Sequence, residues 1–238
     1  MASAGPTGFH GKFPARGDFV TRNLPPSFVA PWDDWLQAGV AASREQLGEA
    51  WLPVYLESPI WRFVLAPGVC GPESWAGVLM PSVDKVGRYF PLTIAEPLAA
   101  AAHPLVTAVT AAAWFESAEA LAVRALEDDR LDLEGFVGDV AGLATAPSLA
   151  TTIVPTVVGG SDATGWCVDL ETASALGVGL TIVLDRLLVE RGGPYTVWWM
   201  NGGAQTPAHC CVLPRLPSVD RFHHLLTGTM VSTAHHGE

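Results

Sequence analysis

The chain has 238 residues, of which 49% are hydrophobic and 16% charged, and its formal net charge is −11 with histidine neutral. This apolar content supplies a sizeable core and excludes global disorder. The acidic balance repels nucleic acid and anionic lipid surfaces, so neither is expected as a partner.

Between Phe9 and Thr21, the residues Phe13, Phe19 and Val20 lie around Gly11 and Gly17. This predicts two short extended pieces joined by a glycine-rich bend. Leu24, Pro25, Pro26 and Ser27 then open a helix, with Phe28, Trp32, Leu36, Val40 and Leu47 on one face and Gly48 as its stop. Pro31 is expected in the first turn, where a missing N–H costs little, with Asp33 and Asp34 near the positive end. Residues 60–65, 75–80 and 89–95 read as three strands, the last reached through a turn at Ser82, Asp84 and Gly87. Three adjacent strands predict an antiparallel meander. Pro81 and Pro91 donate no ladder bond and belong at strand ends, edges or bulges.

Residues 104–128 form a long alanine-rich helical segment, with a break expected near Ser117. Asp132 caps a shorter helix carrying Phe136, Val140 and Leu143. Residues 145–165 are filled with Pro, Gly, Ser and Thr and read as a long flexible loop, followed by a short strand over 166–170. A helix is expected over 176–190 through Leu180, Val183, Leu184, Leu187 and Leu188, ended by Gly192 and Gly193. The aromatic strand 195–200 turns at Asn201 and Gly202 into a second strand, 208–213. Ser218 starts a last helix holding Phe222, Leu225 and Leu226, and residues 229–238 form a disordered tail. The expected fold is α/β of the α+β kind: an antiparallel sheet flanked by helices, in one domain spanning residues 1–228.

Legible chemistry is sparse. The set Gly8, Gly11, Lys12, Pro14, Gly17, Asp18 and Phe19 superficially suggests a phosphate loop. However, Phe13 follows Lys12 where Ser or Thr is required, and Pro14 removes an amide the cradle would use. The bend is therefore structural, with a Lys12–Asp18 pairing conceivable across it. Trp32 and Trp35 sit on one helix face as core. Arg62 lies opposite Trp61 and Phe63, as a solvated charge or a carboxylate partner. Asp84, Lys85 and Arg88 share a tight turn, where recognition residues concentrate. Trp198 and Trp199 face opposite sides of one strand, so one of them needs a covering helix or forms a patch.

The seven histidines form no HExxH pattern, and no GxSxG elbow is present. A triad drawn from Ser58, Ser82 and Asp84 with a histidine has no spacing behind it. The acids Glu127, Asp128, Asp129, Asp132 and Glu134 read as a solvated helix junction. Cys70, Cys167, Cys210 and Cys211 form no CxxC pair and read as reduced thiols. No catalytic residue, metal ligand or cofactor is expected. The N-terminus lacks a charged-then-apolar pattern, and residues 98–113, the nearest approach to a membrane span, are interrupted by His103, Pro104, Thr107 and Thr110. A cytoplasmic location is expected.

The densest signature runs from Gly8 to Leu98. It includes the Gly11-Lys12 and Gly17-Asp18 pairs, Trp32-Asp33, Trp35-Leu36-Gln37, Ser58-Pro59, Trp61-Arg62-Phe63, Met80-Pro81-Ser82, Asp84, and Gly87-Arg88-Tyr89-Phe90-Pro91. These blocks resemble the TagF/ImpM family, which is associated with bacterial type VI secretion. Val197-Trp198-Trp199 and Leu216-Pro217 resemble its closing elements. The resemblance implies a longin- or profilin-like fold. It also implies a non-enzymatic, cytoplasmic, post-translational repressor of type VI secretion that binds a forkhead-associated scaffold protein. The partner surface is then expected near Lys12, Asp18, Arg62, Asp84 and Arg88, where charges gather in a charge-poor chain. The alternatives are a structural subunit of the secretion apparatus and a hydrolase with a spatially assembled site.

Overall fold

A computed structural model describes residues 5–100, 102–128, 130–147, 154–157, 164–168, 170, 172, 175–203 and 206–229. Its centre is a seven-stranded antiparallel sheet. The strands are β1 (Gly8–Lys12), β2 (Phe19–Arg22), β3 (Trp61–Leu65), β4 (Trp75–Met80), β5 (Leu92–Pro97), β8 (Thr196–Met200) and β9 (His209–Leu213), in the order β2-β1-β5-β4-β3-β8-β9. The expected bend between β1 and β2 and the β3-β4-β5 meander are both present. Strand β5 begins at Leu92 and not at Tyr89, because Pro91 offers no N–H; Tyr89 makes only an isolated bridge to Val83.

One face of the sheet is covered by α1 (Pro26–Leu47), α2 (Trp51–Leu56) and α7 (Phe222–Thr227). Helix α1 forms as its stripe predicts, burying Phe28, Trp32, Leu36 and Val40, and ends at Gly48. Pro26 takes the first position, which places Pro31 in the second turn rather than the first. Gly39 is needed for contact: a Cβ there would stand 2.2 Å from the Phe222 ring, so α7 nests on α1 only with glycine at this position.

The opposite face carries α3 (Pro104–Thr110), α4 (Ala112–Glu127) and α5 (Leu133–Ala141), with α6 (Leu176–Gly192) packed on α3. The helical segment breaks at Ala111 and not at Ser117, and its two parts bend by 77°. Among the described residues no single helix is long and apolar enough to cross a membrane; α3 and α4 pass that test only as a bent pair, and their apolar residues pack on the sheet. Asp132 caps α5 by accepting the Gly135 N–H at 2.7 Å. The region read as a loop over 145–165 contains β6 (Val154–Val157), paired with β7 (Thr164–Cys167) in a separate two-stranded sheet. The rest of that loop from residue 148, and the tail from residue 230, lie outside the described residues.

Helix α6 departs from its expected packing. It buries Gly179, Ile182 and Asp185, whereas Leu180 and Leu184 are exposed. Trp198 is fully buried against α1, and Trp199 packs edge-on against Phe115 of α4, so a helix covers it.

Candidate functional site

Four of the five sequence-predicted charges, Lys12, Asp18, Asp84 and Arg88, converge at one corner, where the β1–β2 bend meets the turn at residues 84–88. Gly11 brings the two segments together: its φ is +137°, and a Cβ there would lie 2.1 Å from the Pro91 carbonyl oxygen. Ser82 donates its hydroxyl to the Lys12 carbonyl at 2.9 Å, and the Tyr55 hydroxyl donates to the Ser82 carbonyl at 2.9 Å. The Lys85 N–H bonds the Arg16 carbonyl at 3.0 Å, and the Arg88 guanidinium donates to the Gly17 carbonyl.

Asp84 is the hub of this corner. Its Oδ1 accepts the N–H of Val86 at 3.0 Å and of Arg88 at 2.9 Å. Its Oδ2 takes the Lys12 ammonium at 3.0 Å and Arg88 Nε at 2.7 Å. Burial by itself would push this carboxyl up. The Arg88 N–H, the Lys12 ammonium, the Arg88 guanidinium and the Val86 N–H outweigh it and hold Asp84 well below the usual carboxylate range.

Lys12 therefore pairs with Asp84 and not with Asp18, which accepts its neighbour's Phe19 N–H at 2.8 Å. Lys12 is 3% exposed and Asp84 4%, so both are spent inside the fold, while Asp18 and Arg88 reach solvent above them. Arg62 lies elsewhere, on β3. It is 6% exposed and forks onto Glu119 of α4 at 2.8 and 2.6 Å, the carboxylate partner that its position allowed.

Glu119 borders an open cavity of about 730 Å³, together with Glu57, Ile60, Asn201, Thr206 and Thr227. Ser58 and Ser82 are not assembled with a histidine there: Ser82 is committed to the Lys12 carbonyl, and among the described residues no histidine lines the cavity. Among the described residues no three His, Cys, Asp or Glu side chains gather in a way that would hold a metal ion. Burial pushes the Cys70 thiol up to about 12, which suits a core thiol.

Three buried polar clusters were not read from the sequence. His10 bonds Asp33 at 3.0 Å and Thr21 at 2.8 Å. Glu96, 1% exposed, accepts from Thr7 at 3.0 Å and from the Ala146 N–H at 3.1 Å; burial raises its pKa despite both bonds. Asp185 receives the Tyr195 hydroxyl and pairs with His103 at 2.9 Å. Burial, then the Asp185 charge, raises the Tyr195 pKa. The legible signal was a charge at a core-facing strand position, as Glu96 is within Leu92-Thr93-Ile94-Ala95-Glu96.

Comparison with known proteins finds both a family model and a solved structure that resemble the chain. Residues 8–143 match the model of the TagF N-terminal domain, type VI secretion system-associated. The structure is similar to the crystal structure of PA0076 from Pseudomonas aeruginosa PAO1, with 37% identity, 93% of this chain and 94% of that chain covered, and a TM-score of 0.78. No curated protein sequence matches the chain. With more than half of its length under the family model, the chain belongs to the TagF family of type VI secretion-associated proteins.

Proposed function

We propose that this chain is a non-enzymatic, cytoplasmic, post-translational repressor of type VI secretion that works by binding a forkhead-associated scaffold protein. The observation that carries this reading is the Asp84 hub. Two surface bends are locked to each other by a carboxylate whose oxygens are all engaged by the chain itself. Such a site has no group left over for chemistry, but it presents its outer residues in a fixed arrangement, which is what a docking surface requires. The partner surface is accordingly proposed around Asp18 and Arg88, with Lys12 and Asp84 as its support, while Arg62 braces α4 on the far side of β5 and β4.

The hydrolase alternative rests on the cavity beside Glu57 and Glu119. There Arg62 already neutralises Glu119 and holds it in a fork, which suits a brace better than a general acid.

The test is capture of the purified scaffold by the purified chain, followed by secretion assays in cells with the gene deleted or overexpressed. Direct capture, with secretion rising on deletion and falling on overexpression, is the expected result. Absence of capture between two folded, monodisperse proteins would remove the reading.

A further inference from the structure

We infer that the corner formed by the β1–β2 bend and the turn at residues 84–88 is a docking site for an acidic polypeptide segment carrying a large apolar side chain. This inference rests on the proposed function and specifies the chemistry of its partner.

Charge is the first argument. The whole chain is at −11, yet this corner exposes Arg16, Lys85 and Arg88 around a single exposed carboxylate at the bend, Asp18. Asp84 cancels Lys12 beneath them. The neighbouring acids are Asp33, engaged by His10, and Asp128, which lines a cavity of about 290 Å³ beside Lys85, Pro14 and Leu126. Arg16 and Lys85 have no ion-pair partner among the described residues, so their charge is available to an incoming carboxylate.

The second argument is apolar exposure at the same spot. Phe19 is 45% exposed and Val86 66%. Phe19 is also held in place: the Lys12 ammonium lies 4.1 Å from its ring centre, Phe90 meets it edge-on at 4.8 Å and His10 stacks at 6.2 Å. An aromatic ring ordered before binding loses little entropy on contact, which makes it a good anchor. Aromatic rings and arginine are also the side chains enriched in interface hot spots.

An anionic bilayer offers the same charge sign and is the weaker candidate. The remaining acidic surface of the chain would be repelled by it.

The experiment uses the full chain and two probes: the purified scaffold, and a fluorescein-labelled peptide with Asp and Glu flanking a Leu-Phe pair. Vesicles containing phosphatidylserine serve as the lipid arm. The variants are Arg16→Glu with Lys85→Glu, and Val86→Ser, whose side chains make no ion pair among the described residues; Arg191→Glu on α6 is the control. Thermal midpoints establish that each variant is folded.

Peptide and scaffold are expected to bind the wild type and the control alike. The double reversal should weaken both by about tenfold, Val86→Ser by less, and raised salt should mimic the reversal. Equal peptide binding by wild type and double reversal would overturn the site, as would a loss confined to vesicle binding. Peptide docking at the corner without scaffold capture would leave the site standing and defeat the proposed function. Scaffold capture untouched by the reversal would do the opposite.

Discussion

The two faces of the central sheet solve the same burial problem with different chemistry. The face under α1, α2 and α7 is filled by six tryptophans, and five of their indole N–H groups donate to neutral oxygens: Trp32 to Thr93, Trp35 to the Pro217 carbonyl, Trp51 to Ser43, Trp61 to the Leu225 carbonyl and Trp198 to Thr196. The sixth, Trp75, is buried without a partner for its N–H among the described residues. The face under α3 to α6 packs small side chains of α4 (Ala118, Ala122 and Ala125) among Phe9, Phe13, Phe115 and Phe136, and is fastened by buried charges, namely Arg62–Glu119, Glu96 and Asp185. Large rings supply area and shape on the first face. On the second, close helix approach is combined with directional polar bonds, and those bonds bring proton equilibria into the core. On the aromatic face the titratable groups are His10 and Lys12 of β1, the strand next to the edge strand β2, paired with Asp33 of α1 and Asp84 of the 84–88 turn.

The sharpest break of this contrast is Trp32→Ala. Trp32 is fully buried and touches Phe28, Trp35, Phe63 and Trp198. Its removal is expected to cost about 3–5 kcal/mol in urea unfolding, with a loss that does not vary with pH, since every contact removed is neutral. On the other face, Arg62→Ala leaves Glu119 without its fork and is expected to cost about 2–3 kcal/mol. The paired replacement Arg62→Met with Glu119→Leu should recover most of that loss, because an uncompensated charge is the expensive species. A double variant as unstable as Arg62→Ala would show that packing on Phe115, and not charge, is what Arg62 supplies. Smaller again is Ala122→Leu, which forces three extra carbons between α4 and the sheet and is expected to cost about 1–3 kcal/mol.

The same contrast explains what could be read from the sequence. Helix α1 was legible because its large side chains recur at helical spacing and face one way. The meander was legible because Pro and Gly bound each strand. The break at Ala111 carries neither residue; it follows from α3 and α4 packing at 77° on the sheet, a tertiary effect invisible to local pattern. The leucines of α6, Leu176, Leu180, Leu184, Leu187 and Leu188, share one side of the helix, so periodicity pointed to that side. The chain instead buries Ile182 and Asp185, because Tyr195 and His103 bind that carboxylate. The β6–β7 pair was hidden by Pro155 and Gly165, which read as loop residues but fit a two-stranded sheet with little ladder to interrupt. At the candidate site, the sequence grouped Lys12, Asp18, Asp84 and Arg88, since charges in Gly/Pro bends are rare in this chain. It left open which charges face outward, because opposite charges that neutralise one another can be buried, and only three-dimensional proximity shows that Lys12 and Asp84 do so.

The subtlest prediction concerns pH, where the two kinds of buried carboxylate act with opposite sign. Asp84 is held low, so its contribution is present above the ordinary aspartate range near 4 and fades as pH falls toward its folded value. Glu96 is raised, so the folded state binds its proton more tightly than the unfolded chain does, and its contribution falls as pH rises from about 4.5 through the folded value. Glu96→Gln keeps an oxygen for the Ala146 N–H and an amide that can donate to the Thr7 hydroxyl, while removing the charge. Its melting temperature should match the wild type near pH 4, and exceed it by a margin that widens as pH rises through the folded value of Glu96. A margin that stays flat across that range would mean the Glu96 carboxylate is as well solvated in the fold as outside it, and the alanine-lined face would then be no more sensitive to protons than the aromatic one.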